Sequence, residues 1–169
     1  AKVGAVITMV NTILPASDYA YYLEYTRARV AIVHHSIVGA FEQARGTSRY
    51  LRHVLVVGDD DGKNPSFERL VAAASPDCEP ELTSRDDIAI WLFTSGSTGK
   101  PKAAVHLQHD LPFNTEVYAK SVLGFRDDDL TLSVPKLFFG YATGTNLLFP
   151  FAVGGATALF EERSTAERI

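Results

Sequence analysis

Six short, β-prone apolar runs punctuate the chain: residues 6–10, 30–34, 53–57, 88–93, 130–134 and 157–160. They are continuous rather than alternating, which suits strands covered on both faces. Segments that read as helices lie between several of them. Ser17 can cap a helix running to about Arg27, with Tyr19, Tyr22, Leu23 and Thr26 on one side at i, i+3, i+4, i+7 spacing. Residues 36–44 form a second, closed by Gly46. Residues 65–74 form a third, opened by Asn64 with Pro65 at its first position. A fourth runs from Asp110 to about Val122 and is closed by Gly124. Strands alternating with helices predict an α/β chain with a mostly parallel sheet flanked by helices.

At 169 residues the chain is one domain's worth of protein, and we read 1–169 as a single partial subdomain. The formal charge of −4 lacks the basic footprint that nucleic acid or an anionic membrane would select. Cys78, the only cysteine, excludes an internal disulfide and a Cys-based zinc site, and it fits a cytoplasmic protein. Residues 137–160 carry no charged side chain, enough to span a bilayer. Gly140, Gly144, Pro150, Gly154 and Gly155 interrupt them, so a buried helix, a Gly-Gly turn and a short strand are expected instead of a membrane span. Both ends read as cut. The first residues run uncapped into a strand, and the capping-box pair Ser164 and Glu167 announces a helix just before the last residue, Ile169.

The run from Phe93 through Thr94, Ser95, Gly96, Ser97, Thr98, Gly99, Lys100 and Pro101 to Lys102 is the strongest local signal. It follows one strand and precedes residues 103–107, which resume extended character, so a hairpin with a wide tip is expected. Gly96 and Gly99 let the backbone take positive φ, so that amides can converge on an anion. Thr94, Ser95, Ser97 and Thr98 add hydroxyl donors, and Lys102 adds a mobile positive charge. The Walker pattern does not fit, because Pro101 follows Lys100 and only two residues separate the glycines. From residue types alone, a polyphosphate cradle and a flexible Gly/Ser turn both remain open.

Over nine consecutive residues the run resembles the phosphate loop of the adenylate-forming superfamily, which includes acyl- and aryl-CoA ligases. The resemblance implies that Thr94 to Gly99 wrap the β- and γ-phosphates of ATP, with Lys102 as their counter-charge. Ala103 departs from it, standing where the family usually has Gly. Upstream, Gly4-Ala5-Val6, Val10-Asn11-Thr12 and Ser17-Asp18-Tyr19 are similar to CoA ligases. Downstream, Lys136-Leu137-Phe138-Phe139-Gly140-Tyr141, with Gly144, Pro150 and Val153-Gly154, resembles the acid-binding helix of benzoate–CoA ligases, here about 137–149. Aromatics at this spacing read as core on their own. The resemblance instead implies that Gly140 and Tyr141 line the acid pocket, with Phe138 left in the core.

The resemblance therefore implies a fragment of an ATP-dependent ligase that activates a benzoate-like carboxylic acid as an acyl-adenylate and passes it to CoA. ATP, Mg2+ and CoA are the implied cofactor and co-substrates, and the rest of the parent polypeptide is the implied partner. The family's magnesium ligand, adenine loop, ribose-binding Asp and catalytic Lys follow the acid-binding helix. None has a counterpart here, so no catalytic or metal-ligating residue is assigned and the isolated chain is expected to be inactive. Three other readings stay open: an adenylation domain serving a carrier protein, a non-catalytic nucleotide-binding module, and a purely structural hairpin. His34, His35, His106 and His109 lack the further ligands of a metal site, and His106 is expected to satisfy backbone groups near the hairpin base. Asp59 to Asp61 and Asp127 to Asp129 read as solvated turns.

Overall fold

The computed structural model describes residues 2–59, 61–94, 99–167 and 169. Among the described residues seven short strands are interspersed with helices, and three of the four strand pairings are parallel, in keeping with the α/β expectation. Contacts gather the chain into two compact units where the sequence suggests a single subdomain: Asn11–Cys78, and Ala1–Val10 with Glu79–Ile169. The physical reason is that residues 11–78 complete a parallel strand pair with its own helices. The exposed connection 74–87 then leads into the next strand.

In the unit Asn11–Cys78, β2 (Val30–His34) pairs parallel with β3 (His53–Val57). Helices α1 (Ala16–Thr26) and α2 (Val38–Arg45) pack together through Tyr19 and Phe41, whose ring centroids lie 6.1 Å apart. Tyr19, Leu23, Val33, Phe41, Ala44, Val54 and Val56 are buried and form this unit's core. Burying such side chains is the main favourable term available to a unit this small.

Three helix starts differ from the sequence reading. Helix α1 is capped by Pro15, whose carbonyl accepts from Asp18 N at 3.0 Å, so Ser17 lies in the first turn. Ser36 falls in a 3₁₀ turn, His35–Ile37, that precedes α2. Helix α3 (Phe67–Ala73) is capped by Ser66, whose Oγ accepts from Arg69 N at 3.3 Å. Asn64 does not serve there: its Oδ1 accepts from Arg45 Nη1 at 3.0 Å, and its Nδ2 donates to Asp61 at 2.8 Å. Pro65 lies outside the helix, and its carbonyl accepts from Val56 N at 2.9 Å.

In the other unit, β1 (Ile7–Met9) runs parallel to β4 (Ile88–Thr94), which pairs antiparallel with β5 (Lys102–Leu107). Helix α4 (Asp110–Asn114) continues as a π-helical stretch, Thr115–Leu123, and ends at Gly124 with φ 71°. The expected uncharged helix spans α5 (Gly140–Thr143), a π stretch Gly144–Leu148, and α6 (Phe149–Val153). Gly154 closes it in the left-handed region at φ 85°. A Cβ at Gly155 would stand 3.0 Å from the backbone oxygens of Arg126 and Asp129, which explains the second glycine. No helix among the described residues is long and apolar enough to cross a membrane.

Strands β6 (Leu130–Thr131) and β7 (Ala156–Thr157) are shorter than their apolar runs. Pro135 offers no N–H to a ladder. Beyond the pairing, the Lys136 ammonium instead donates to the carbonyls of Phe160 and Glu162, at 2.7 and 2.6 Å. Ser164 does not cap a helix: its hydroxyl donates to Val134 O at 2.8 Å, and residues 166–167 form a turn.

Candidate functional site

The arms of the β4–β5 hairpin are apolar runs, and their pairing closes at Thr94 opposite Lys102. Thr94 Oγ1 lies 3.4 Å from Lys102 O, and both residues are exposed. Gly99 has φ 124°, a conformation that only glycine adopts without strain. The other loop candidates, Ser95, Gly96, Ser97 and Thr98, lie outside the described residues.

A cavity of about 670 Å3 opens between the inner face of β4–β5 and the helical segments that begin at Asp110 and Gly140. Ile90, Leu92, Phe93, Leu111 and Leu148 give it an apolar lining, with Thr94, His106, Asp110 and Thr143 among the polar groups at its walls. Gly140 lines this cavity, whereas Tyr141 is 66% exposed and is not among the lining residues. A Cβ at Gly140 would meet only the tip of Leu92, Cδ1, at 3.2 Å. Phe138, read as core, is half-buried and stacks against Phe139 with ring centroids 4.5 Å apart.

The polar end of the cavity centres on Asp110. Its Oδ2 accepts from Leu107 N at 2.9 Å and lies 3.4 Å from His106 Nδ1, while its Oδ1 lies 3.2 Å from His109 Nε2. The Leu107 amide, then the charge of His109 and the hydrogen bond from His106, hold this carboxyl below its usual range against the opposing effect of burial. His109 Nδ1 lies 3.0 Å from Arg85 O and 3.1 Å from Asp86 Oδ1. The backbone-satisfying role expected of His106 therefore falls to His109, because His106 is turned towards the Asp110 carboxylate. In the sequence Asp110 stands out only as a helix start, and its i, i+4 spacing from His106 is the available signal.

A family model described as AMP-binding enzyme matches residues 1–169. The chain is 41% identical over 164 residues to a benzoate–CoA ligase of Thauera aromatica, covering 97% of this chain and 31% of that protein. It is 34% identical over 168 residues to a 4-hydroxybenzoate–CoA/benzoate–CoA ligase of Rhodopseudomonas palustris, covering 99% and 31%. Among solved structures, an anthranilate CoA ligase in complex with anthranoyl-AMP matches with a TM-score of 0.90 at 36% identity, over 94% of this chain and 31% of that one. A benzoate CoA ligase from Burkholderia xenovorans LB400 matches with a TM-score of 0.83 at 36% identity, over 96% and 31%. The chain thus spans 31% of the length of each of these relatives.

Proposed function

We propose that this chain, which belongs to the family of AMP-binding enzymes, supplies the ATP phosphate cradle and one wall of the acid pocket of a ligase that joins a carboxylic acid to CoA. The acid is benzoate or a close aromatic relative, a reading supported by the benzoate and hydroxybenzoate ligases to which the chain is similar. The remaining parts of the active site belong to the rest of the parent polypeptide.

Thr94 carries this reading. It closes the hairpin opposite Lys102 and also lines the cavity that Gly140 borders. A loop suited to a polyphosphate and a wall suited to an apolar ring therefore meet at one residue.

In the proposed reaction a carboxylate oxygen attacks the α-phosphorus of ATP and pyrophosphate leaves. The CoA thiolate then attacks the acyl carbonyl and AMP leaves. This chain contributes position and charge, which dominate catalysis of such transfers. Gly99 frees the loop backbone to turn amides toward phosphate oxygens, with Ser95, Gly96, Ser97 and Thr98 proposed to complete the cradle. Lys102, at the first position of β5, neutralises charge building on the leaving pyrophosphate. Gly140, with Tyr141 beside it, borders the ring of the acid.

Magnesium bound with the nucleotide would add counter-charge on the phosphate oxygens. No group of three or more His, Cys, Asp and Glu side chains comes together among the described residues.

The test is ATP–pyrophosphate exchange by the intact polypeptide and by the 169-residue chain alone. Benzoate-dependent exchange is expected from the intact protein and none from the chain. Failure of every aromatic acid to stimulate exchange in the intact protein would refute the ligase reading. Turnover by the chain alone would refute the division of the active site.

A further inference from the structure

His106 of β5 lines the cavity wall and has no task in the reaction as drawn. Its Nδ1 lies 3.4 Å from Asp110 Oδ2, and that carboxylate is itself anchored by Leu107 N at 2.9 Å. A carboxylate beside Nδ1 favours the tautomer with the proton on that nitrogen, which leaves Nε2 as a hydrogen-bond acceptor. Nε2 has no protein partner among the described residues. Two hydroxyls that line the same cavity are committed. The Thr143 hydroxyl bonds the carbonyls of Leu137 and Phe139, at 2.8 and 3.0 Å, and the Thr94 hydroxyl is directed to Lys102 O.

An acceptor at the wall of a largely apolar cavity discriminates strongly. A ligand that brings a donor satisfies it, whereas an analogue that covers the nitrogen without bringing one leaves it unpaired. Resting on the ligase reading above, we propose that His106 is a specificity-determining residue whose Nε2 accepts a hydrogen bond from a hydroxyl or amino group on the ring of an aromatic acid. Asp110 is then a positioning residue, because it fixes the tautomer able to accept.

The experiment measures kcat/KM for acid-dependent ATP–pyrophosphate exchange by the intact protein. The acids are benzoate, its hydroxy and amino isomers, and the methyl isomers matched to them in position. Wild type should favour one donor-bearing isomer over its methyl isostere by about tenfold or more. His106→Leu should erase that preference, and His106→Gln, whose amide oxygen can still accept, should retain part of it. Asp110→Asn should weaken it less than His106→Leu.

Absence of any donor preference in wild type would overturn the proposal, and that comparison decides the matter even if a variant fails to fold. A preference that survives His106→Leu would overturn it too. So would an equal fall for every acid, since it would assign His106 to the carboxylate common to all of them. If no acid supports exchange, the ligase reading itself fails, an outcome distinct from exchange that occurs without donor preference.

Discussion

Replacing Gly144 by Ala tests how tightly the uncharged helical segment is packed. In the π stretch the Phe149 N–H bonds to the Gly144 carbonyl, an i→i+5 bond that sets the Phe149 ring over the glycine. A Cβ added at Gly144 would stand 3.0 and 3.1 Å from two atoms of that ring. The ring has little room to retreat. Phe149 is 3% exposed, and the edges of Tyr118 and Phe125 pack against it at centroid distances of 6.1 and 5.9 Å. Overpacking of this kind costs about 1–3 kcal/mol. The helix propensity of Ala over Gly offsets up to about 1 kcal/mol of that. A net loss of about 1 kcal/mol is therefore expected, or about 2–4 °C in Tm for a chain of this size. Gly140→Ala is the matched control, because its Cβ meets only the end of the Leu92 side chain. That variant should stay within about 0.5 kcal/mol of the parent. Urea unfolding of the two variants beside the unaltered chain reads both values. Equal effects at the two glycines, or a neutral Gly144→Ala, would refute the packing argument.

Gly140→Val in the intact protein should raise KM for benzoate-sized acids more than for small aliphatic acids, with KM for ATP nearly constant, since its branched methyls would enter the cavity beside Leu92. Steady-state kinetics with an acid series measures this, and lost stability with an unchanged acid ratio would favour a packing role instead. A second expectation concerns acid. Hydrogen bonds from the Asn64 side chain, the Asn64 amide and the Lys63 amide lower the Asp61 carboxyl to about 2. Because the folded value is depressed, its contribution to stability is present above the ordinary value of about 3.9 and fades as pH falls through about 2. The stability difference between the parent chain and Asp61→Asn, followed by urea unfolding, should therefore shrink as pH is lowered through that window. A difference independent of pH there would count against the role of this loop.

The parallel pair β2–β3 was legible because each strand is a compact β-branched run. Such a run has few alternatives to a strand. The hairpin was legible because its turn chemistry is local. Helix starts were less so. Asn64, Pro65 and Ser66 are adjacent capping candidates, and the choice among them is made by a long-range bond from Val56 to Pro65. Strands β6 and β7 were overestimated because apolar composition does not reveal that the Lys136 ammonium takes over carbonyls beyond their pairing. Within the candidate site, Gly140 could be picked out as a costly glycine in a helix. The orientation of His106 depends on the fold bringing the end of β5 against Asp110. Spacing alone does not rank that partner above the nearby backbone.

The hairpin is proposed to hold the phosphates of ATP, with Lys102 as their counter-charge. The deciding measurement is kcat/KM for ATP in the intact protein carrying Lys102→Ala, beside Lys100→Ala. A fall of about tenfold or more is expected for Lys102→Ala, on the order of 1.4 kcal/mol of transition-state stabilisation, and a much smaller fall for Lys100→Ala. Equal losses at the two lysines, or none at Lys102, would contradict it.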